Sequence, residues 1–311
     1  MSVIESTDAA RDAASVLPSE DGGDATRRRL RRRRPLGPAG IAKRVLHYLV
    51  LLLVLALLVG PFLYTLGTAL KGSADSVFSY PPYLIPRDPT LDNFAKVADV
   101  IPVWTFIGNS FIVASASTVA NILFGSMAGF ALARLRFRGN TAAYLTFLAT
   151  LVIPFEVIFI SVFLTARQLG LVDTLLGVIL PSAVTGFSIL LFRSAFLSLP
   201  RAIDEAAVLD GATEFQRYWR VSMPSVKGTM AVVGIFSFMF AWDDFLWPQI
   251  VLTSQENYTL TVGLQFLAGA FADDQKVVAA GTMIAVIPLI IAFFFAQRWF
   301  FRGAGEGAVK G

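Results

Sequence analysis

The chain has 311 residues, of which 55% are hydrophobic and 15% charged, with a mean hydropathy of +0.65 and a formal net charge of +4. An ordinary soluble domain carries about 25% charged residues, and a single core of this size cannot hide so much apolar surface. A bilayer accepts it, and with no cysteine and one histidine, His47, disulfides, thiolate metal sites, thiol nucleophiles and histidine clusters are all excluded.

Residues 1–26 hold six acids and one base, Arg11, with no apolar run, and are expected to be a disordered polar tail. Nine bases and no acid follow between Arg27 and Arg44. No aromatic-interleaved or helical frame surrounds them, so nucleic-acid binding is set aside. The block reads instead as a cytoplasmic anchor, held by anionic membrane lipid and fixing orientation. Residues 1–44 thus form an acidic, then basic, cytoplasmic tail. Val45–Leu70 is 26 residues without Asp, Glu, Lys or Arg. That is too long for the apolar region of a cleaved leader, and Pro61 inside it can kink a membrane helix. His47 lies at its edge.

The expected spans are 45–68, 106–132, 143–165, 175–196, 229–251 and 279–299, within a membrane domain covering 45–302. Each is long enough to cross about 30 Å of hydrocarbon. Asn109, Ser110, Ser115, Ser117, Thr118 and Asn121 make the second span polar enough to require helix partners. Loop charges orient the set. Residues 134–142 carry Arg134, Arg136 and Arg138 without an acid, and 197–227 carry Arg201, Arg217, Arg220 and Lys227. Residues 71–99 hold three bases against four acids, and 252–278 hold Lys276 against Glu256, Asp273 and Asp274. Six crossings with both termini inside satisfy this bias, leaving 303–311 as a cytoplasmic tail.

The loop 198–224 is built differently from the other connections. Ser198 is expected to cap a helix, with Pro200 in its first turn. Ile203 and Ala207 share one side, Asp204 and Glu205 leave charge exposed, and Gly211 supplies the stop. Thr213 and Gln216 form a capping box for a second short helix, on which Phe215, Tyr218 and Trp219 make an aromatic stripe before Pro224. A capped helical pair can transmit force to a soluble partner as a floppy loop cannot. It can also rest on lipid headgroups, and spacing alone leaves both open.

Here the sequence resembles the sugar-transport permeases of binding-protein-dependent ABC importers, in particular the maltose-type inner-membrane subunit. Their signature is E-A-A, three residues, G, nine residues, I-x-L-P. The chain has Glu205-Ala206-Ala207, Gly211, then Val221, Met223 and Pro224 at that spacing. The segments YPPYLIPRDPTLDNF (80–94), NSFIVASAST (109–118), WDDFLWP (242–248), YTLTVGLQ (258–265) and QRWFFRGAGEGAVKG (297–311) extend the likeness. The long N-terminal tail has no counterpart in it. The resemblance implies a six-helix, type I ABC importer permease fold that forms half of a translocation path for a carbohydrate. It implies a second homologous permease, two cytoplasmic ATPase subunits and an extracytoplasmic solute-binding protein as partners. It also implies docking of the ATPase by Glu205, Ala206, Ala207, Asp210, Gly211 and Phe215, with Gly307, Lys310 and Gly311 reaching toward the ATPase dimer. ATP and Mg belong to that partner. No cofactor and no catalysis are expected here, and the chain has no GxxxxGK[ST] sequence.

Glu156, Asp243 and Asp244 are acids within or near apolar spans, where such groups line water-filled surfaces or pair structurally. They, with Trp242, are the candidates for the translocation path. A polyol or glycerol phosphate is the alternative solute. An ion-coupled secondary carrier would use the same acids, but the internal repeats typical of that class are missing. A membrane enzyme lacks any cluster of acid–base or metal-binding groups.

Overall fold

The computed structural model describes residues 38–81, 83–271 and 274–308. The basic block Arg27–Arg34, Lys310 and Gly311 lie outside them. The chain divides into two units, residues 1–58 and 59–311, with the boundary inside the first helix. That helix, α1, spans Pro38–Ala69 with Pro61 within it, and residues 41–58 are exposed along its whole circumference. An apolar helix bare on every side suits lipid or another subunit as its surroundings.

Among its described residues, the second unit contains eleven principal helices. A short amphipathic α2 (Asp92–Val100) precedes α3 (Val103–Arg134), which is 32 residues long. Then come α4 (Asn140–Thr150) and α5 (Phe155–Gln168), α6 (Leu175–Ser182) and α7 (Gly186–Ser198), and the loop helix α8 (Arg201–Leu209). A helical stretch over residues 214–225 leads into α9 (Lys227–Asp243), followed by α10 (Leu246–Val251), α11 (Leu260–Ala270) and α12 (Gln275–Ala308). The described residues contain no strand, only an isolated bridge between Lys71 and Pro89.

Among the described residues, three helices are long and apolar enough to cross a membrane alone, and up to six crossings result if each of three bent pairs counts as one. α1, α3 and residues 275–294 of α12 are single apolar helices, whereas α4–α5 bend by 102°, α6–α7 by 43°, and the stretch 214–225 meets α9 at 81°. The expected span 143–165 is therefore two helices. Pro154 has no N–H to continue a ladder, so α5 starts afresh at Phe155 with Pro154 as its cap. The span 175–196 breaks at Ala183–Thr185, where the Thr185 hydroxyl accepts from Ser188 N–H and caps α7. The span 229–251 breaks at Asp244, and α12 runs as helix through residues 303–308.

α3 is the central element, with α7 on one side and α9 on another. Gly125 and Gly129, four residues apart, let α7 approach closely: a Cβ on Gly129 would stand 2.7 Å from Phe192 Cβ and 2.9 Å from the Ile189 carbonyl. Gly129→Val should therefore destabilise the protein by about 1–3 kcal/mol through overpacking. Gly108→Ala, whose added Cβ meets nothing within 4 Å, should be close to neutral. Thermal unfolding of the detergent-solubilised protein compares the two.

The connections are also pinned. Asn93 donates to the carbonyls of Ala69 and Lys71 at 2.9 Å each. Asp75 is buried and accepts from Tyr83 O–H at 3.0 Å and from the N–H groups of Arg87 (3.0 Å) and Asp88 (3.1 Å). These bonds, the Asp88 N–H foremost, hold its carboxyl below the ordinary range. Asp173, at φ 61°, latches the 252–257 connection: its carboxylate accepts from Thr253 N–H and Ser254 N–H at 2.9 Å each and from the Ser254 hydroxyl. The Ser254 hydroxyl is the chief cause of a strongly lowered Asp173 carboxyl. A lowered carboxyl contributes stability that is complete above its unfolded value, about 3.9, and is lost only as pH falls through the folded one. The latch should thus hold throughout pH 5–8. Asp173→Ala should raise amide exchange in 252–257 at neutral pH, with exchange elsewhere unchanged.

Candidate coupling loop and translocation cavity

The loop between α7 and α9 is rigid because both its helices are properly ended. At Gly211, φ is +78°, the Ala212 N–H donates to Ala207 O at 3.0 Å and the Gly211 N–H to Val208 O at 3.0 Å. This paired arrangement satisfies the last carbonyls of α8 and requires the left-handed turn that glycine adopts freely. The Thr213–Gln216 capping box is present, with Thr213 N–H to Gln216 Oε1 at 2.9 Å and Gln216 N–H to Thr213 Oγ1 at 3.3 Å. At the other end, Ser198 does not cap α8. It is the last residue of α7 and its hydroxyl donates to Ala195 O, while Pro200 occupies the N-cap.

The two neighbouring acids of α8 point opposite ways. Glu205 is exposed, together with Ala206, Asp210 and Gly211. Asp204, expected at the surface, is 8% exposed and faces inward beside Ala207. Its Oδ2 lies 2.9 Å from Arg134 Nη1 of α3 and its Oδ1 3.7 Å from Arg217 Nη2, while Arg217 Nη1 reaches Glu214 Oε2 at 2.7 Å. A carboxylate with two guanidinium partners tolerates burial that a lone charge does not. The aromatic stripe divides likewise. Tyr218 is buried, with its hydroxyl 2.7 Å from Ser126 Oγ of α3, whereas Phe215 is 63% and Trp219 51% exposed. Residues 217–222 are π-helical, which turns Tyr218 inward from a face that Phe215 leaves open. The outer side of the loop thus presents Glu205, Leu209, Phe215 and Trp219, an acid among bare apolar groups.

The second feature is a cavity of about 640 Å³ bounded by α3, the α6–α7 bend and the α9–α10 break. Ser117, Asn121, Ser182, Thr185, Phe240, Asp243 and Asp244 are among its walls. Of the path candidates, Asp243 and Asp244 reach it and two do not. Glu156 is exposed in the first turn of α5. Trp242 is 2% exposed, stacks on Phe238 and donates its indole N–H to Ala285 O at 3.2 Å, so its ring is occupied in the core. The two acids stand where α9 stops: Asp244 takes an extended conformation and its carbonyl accepts from Thr261 Oγ1 at 2.7 Å. Asn121 was not among the candidates, although an amide in the middle of an apolar helix signals a partner. Its Nδ2 donates to Ser182 O at 2.7 Å, and its Oδ1 accepts from Thr185 N–H at 3.0 Å and Thr185 Oγ1 at 2.9 Å, holding the α6–α7 bend against α3. Gly307 lies in the last turns of α12. Among the described residues, no group of three metal-binding side chains occurs.

Residues 121–305 match the model of the family described as binding-protein-dependent transport system inner membrane component. The chain is 35% identical over 227 residues to the arabinooligosaccharides transport system permease protein AraQ of Halalkalibacterium halodurans, covering 73% of this chain and 81% of that one. It is 32% identical over 219 residues to the lactose transport system permease protein LacG of Rhizobium radiobacter, covering 70% and 80%. Its fold is similar to a chain in the crystal structure of a bacterial ABC transporter involved in the import of the acidic polysaccharide alginate, with TM-score 0.76 and 24% identity over 86% of this chain and 99% of that chain. The family match runs from within α3 into α12 and takes in the loop 198–224 and most of the cavity walls, and the chain belongs to the family of binding-protein-dependent transport system inner membrane components: it is a membrane permease subunit and not an enzyme.

Proposed function

We propose that this permease imports a carbohydrate, working beside a second homologous permease, two cytoplasmic ATPase subunits and an extracytoplasmic solute-binding protein. The observation that carries the reading is the two-sided helix α8: anchored inside by Asp204, it presents Glu205 and bare apolar groups outward, as a docking element must. A helix resting on headgroups has no use for an inner ion pair to α3. Glu205, Ala206, Asp210, Gly211 and Phe215 then contact the ATPase, Ala207 spaces α8 from the bundle, and Gly307, Lys310 and Gly311 extend toward the ATPase dimer. Asp243 and Asp244 line this subunit's half of the path. Relatives named for arabinooligosaccharides, lactose and diacetylchitobiose support a saccharide as solute.

Both termini are then cytoplasmic. The chain has no cysteine, so single cysteines can be introduced without background. An impermeant thiol reagent added to whole cells should label positions in 72–98 and 255–275 and leave 198–226 protected. Outside labelling within 198–226 would overturn docking and orientation together. For the solute, uptake into proteoliposomes holding the full complex should occur with an arabino-oligosaccharide, lactose or diacetylchitobiose. Uptake of glycerol 3-phosphate in their place would remove the saccharide reading and leave the permease assignment intact.

A further inference from the structure

Docking uses the outer side of α8 and leaves its inner side without a task. On that inner side one guanidinium joins three helices. Arg134, the last residue of α3, pairs with Asp204 of α8 at 2.9 Å and donates through Nη2 to Phe196 O at 2.5 Å and Leu199 O at 2.8 Å, at the end of α7. Further along the same two helices, Asn121 of α3 bonds Ser182 and Thr185 at the α6–α7 bend, where all three line the cavity. Apolar side chains slide past one another at little cost. A buried carboxylate resists such sliding, because displacement would separate Asp204 from Arg134 and Arg217 and leave its charge without a partner.

We infer that Asp204 is a positioning residue that makes the coupling helix and the α3–α7 pair move as one body, so that displacement of α8 by the ATPase reshapes the cavity wall. The inference rests on the docking reading, and it assigns the two acids of α8 separate tasks: Glu205 holds the partner and Asp204 transmits its movement.

The test uses the complete complex with Leu246→Cys as the single cysteine of this chain. Leu246 lines the cavity and is 45% exposed. Its rate of modification by a soluble thiol reagent is measured without nucleotide and with ATP trapped on a hydrolysis-deficient ATPase. With Asp204 present, trapping should change that rate by about tenfold, within the roughly 5–150-fold range of ordinary coupling free energies. Asp204→Asn should retain the ATPase and trap ATP to the same extent, while the rate change shrinks to about twofold or less. Asp204→Glu should restore most of the response, which a residue that merely filled space would not do. If Asp204→Asn fails to insert, Arg134→Gln carries the same expectation, since Arg217 still pairs with Asp204. A full response in Asp204→Asn or in Arg134→Gln would refute the inference, as would an unresponsive position 246 in the parent complex. Loss of the ATPase from Asp204→Asn, not reversed in Asp204→Glu, would also refute it by placing Asp204 in docking. Retention of the ATPase by Glu205→Lys would instead remove the docking reading itself.

Discussion

Gly211→Pro should leave the membrane bundle assembled and abolish coupled transport. Proline holds φ near −65°, whereas Gly211 sits at +78°, and it removes the N–H that donates to Val208 O. Both hydrogen bonds that end α8 then fail, and the chain cannot turn from α8 into the Thr213 cap. The helix loses its fixed angle to α9, so Glu205 and Phe215 lose their fixed placement relative to one another. A proline forced into such a position destabilises local structure by about 3 kcal/mol or more. No crossing helix is touched, so membrane insertion and pairing with the second permease should be normal. In proteoliposomes, solute uptake should fall by at least about tenfold, a loss of roughly 1.4 kcal/mol or more in coupling. The ATPase should either dissociate or hydrolyse ATP without responding to the loaded binding protein. Normal uptake with normal stimulation would show that the loop is not the coupling element.

Asn121→Leu should have the second large effect, and on a different property. Leucine matches the amide in size but can bond neither the Thr185 N–H nor the Ser182 carbonyl, both at the break between α6 and α7. An unsatisfied buried polar group costs about 1–3 kcal/mol, although polar side-chain contacts within membranes average nearer 0.6 kcal/mol. A combined loss of about 2 kcal/mol is expected, seen as a lower thermal midpoint of the solubilised protein. The bend should also loosen, so amide exchange at residues 183–186 should rise while exchange in the loop 198–224 stays unchanged. Asn121→Asp keeps the acceptor toward Thr185 but sets a carboxylate oxygen against Ser182 O in a buried site, so it should destabilise at least as much as Asn121→Leu. Equal stability of Asn121→Leu and wild type would show that the bend is held by apolar packing alone.

Much of this molecule was legible as sequence. Apolar runs long enough for a bilayer mark up to six candidate crossings, because a helix satisfies its backbone hydrogen bonds locally in hydrocarbon. The stop of α8 and the start of the next helix were equally readable, since Gly211 and the Thr213–Gln216 pair act through bonds between residues a few positions apart; the start of α8 was not, because Pro200 and not Ser198 stands at its N-cap. The breaks were only half visible. Pro154 signals a break by its chemistry alone, since it has no N–H, but nothing local to Ala183–Thr185 shows that Asn121 holds the chain open there.

What tertiary structure alone decided was direction. Asp204 and Glu205 are adjacent carboxylates about 100° apart on one helix, and composition gives each the same claim to the surface. Only the arrival of Arg134 from the end of α3 and Arg217 from the next turn of the loop makes the inner position tolerable for one of them. The same holds for the path. Asp243, Asp244 and Trp242 are consecutive in sequence, yet the stop in α9 puts the acids at the cavity and leaves the indole in the core, bonded to Ala285 O. Local propensities set where helices begin and end. Which side of a helix becomes an interior depends on groups that only packing brings near.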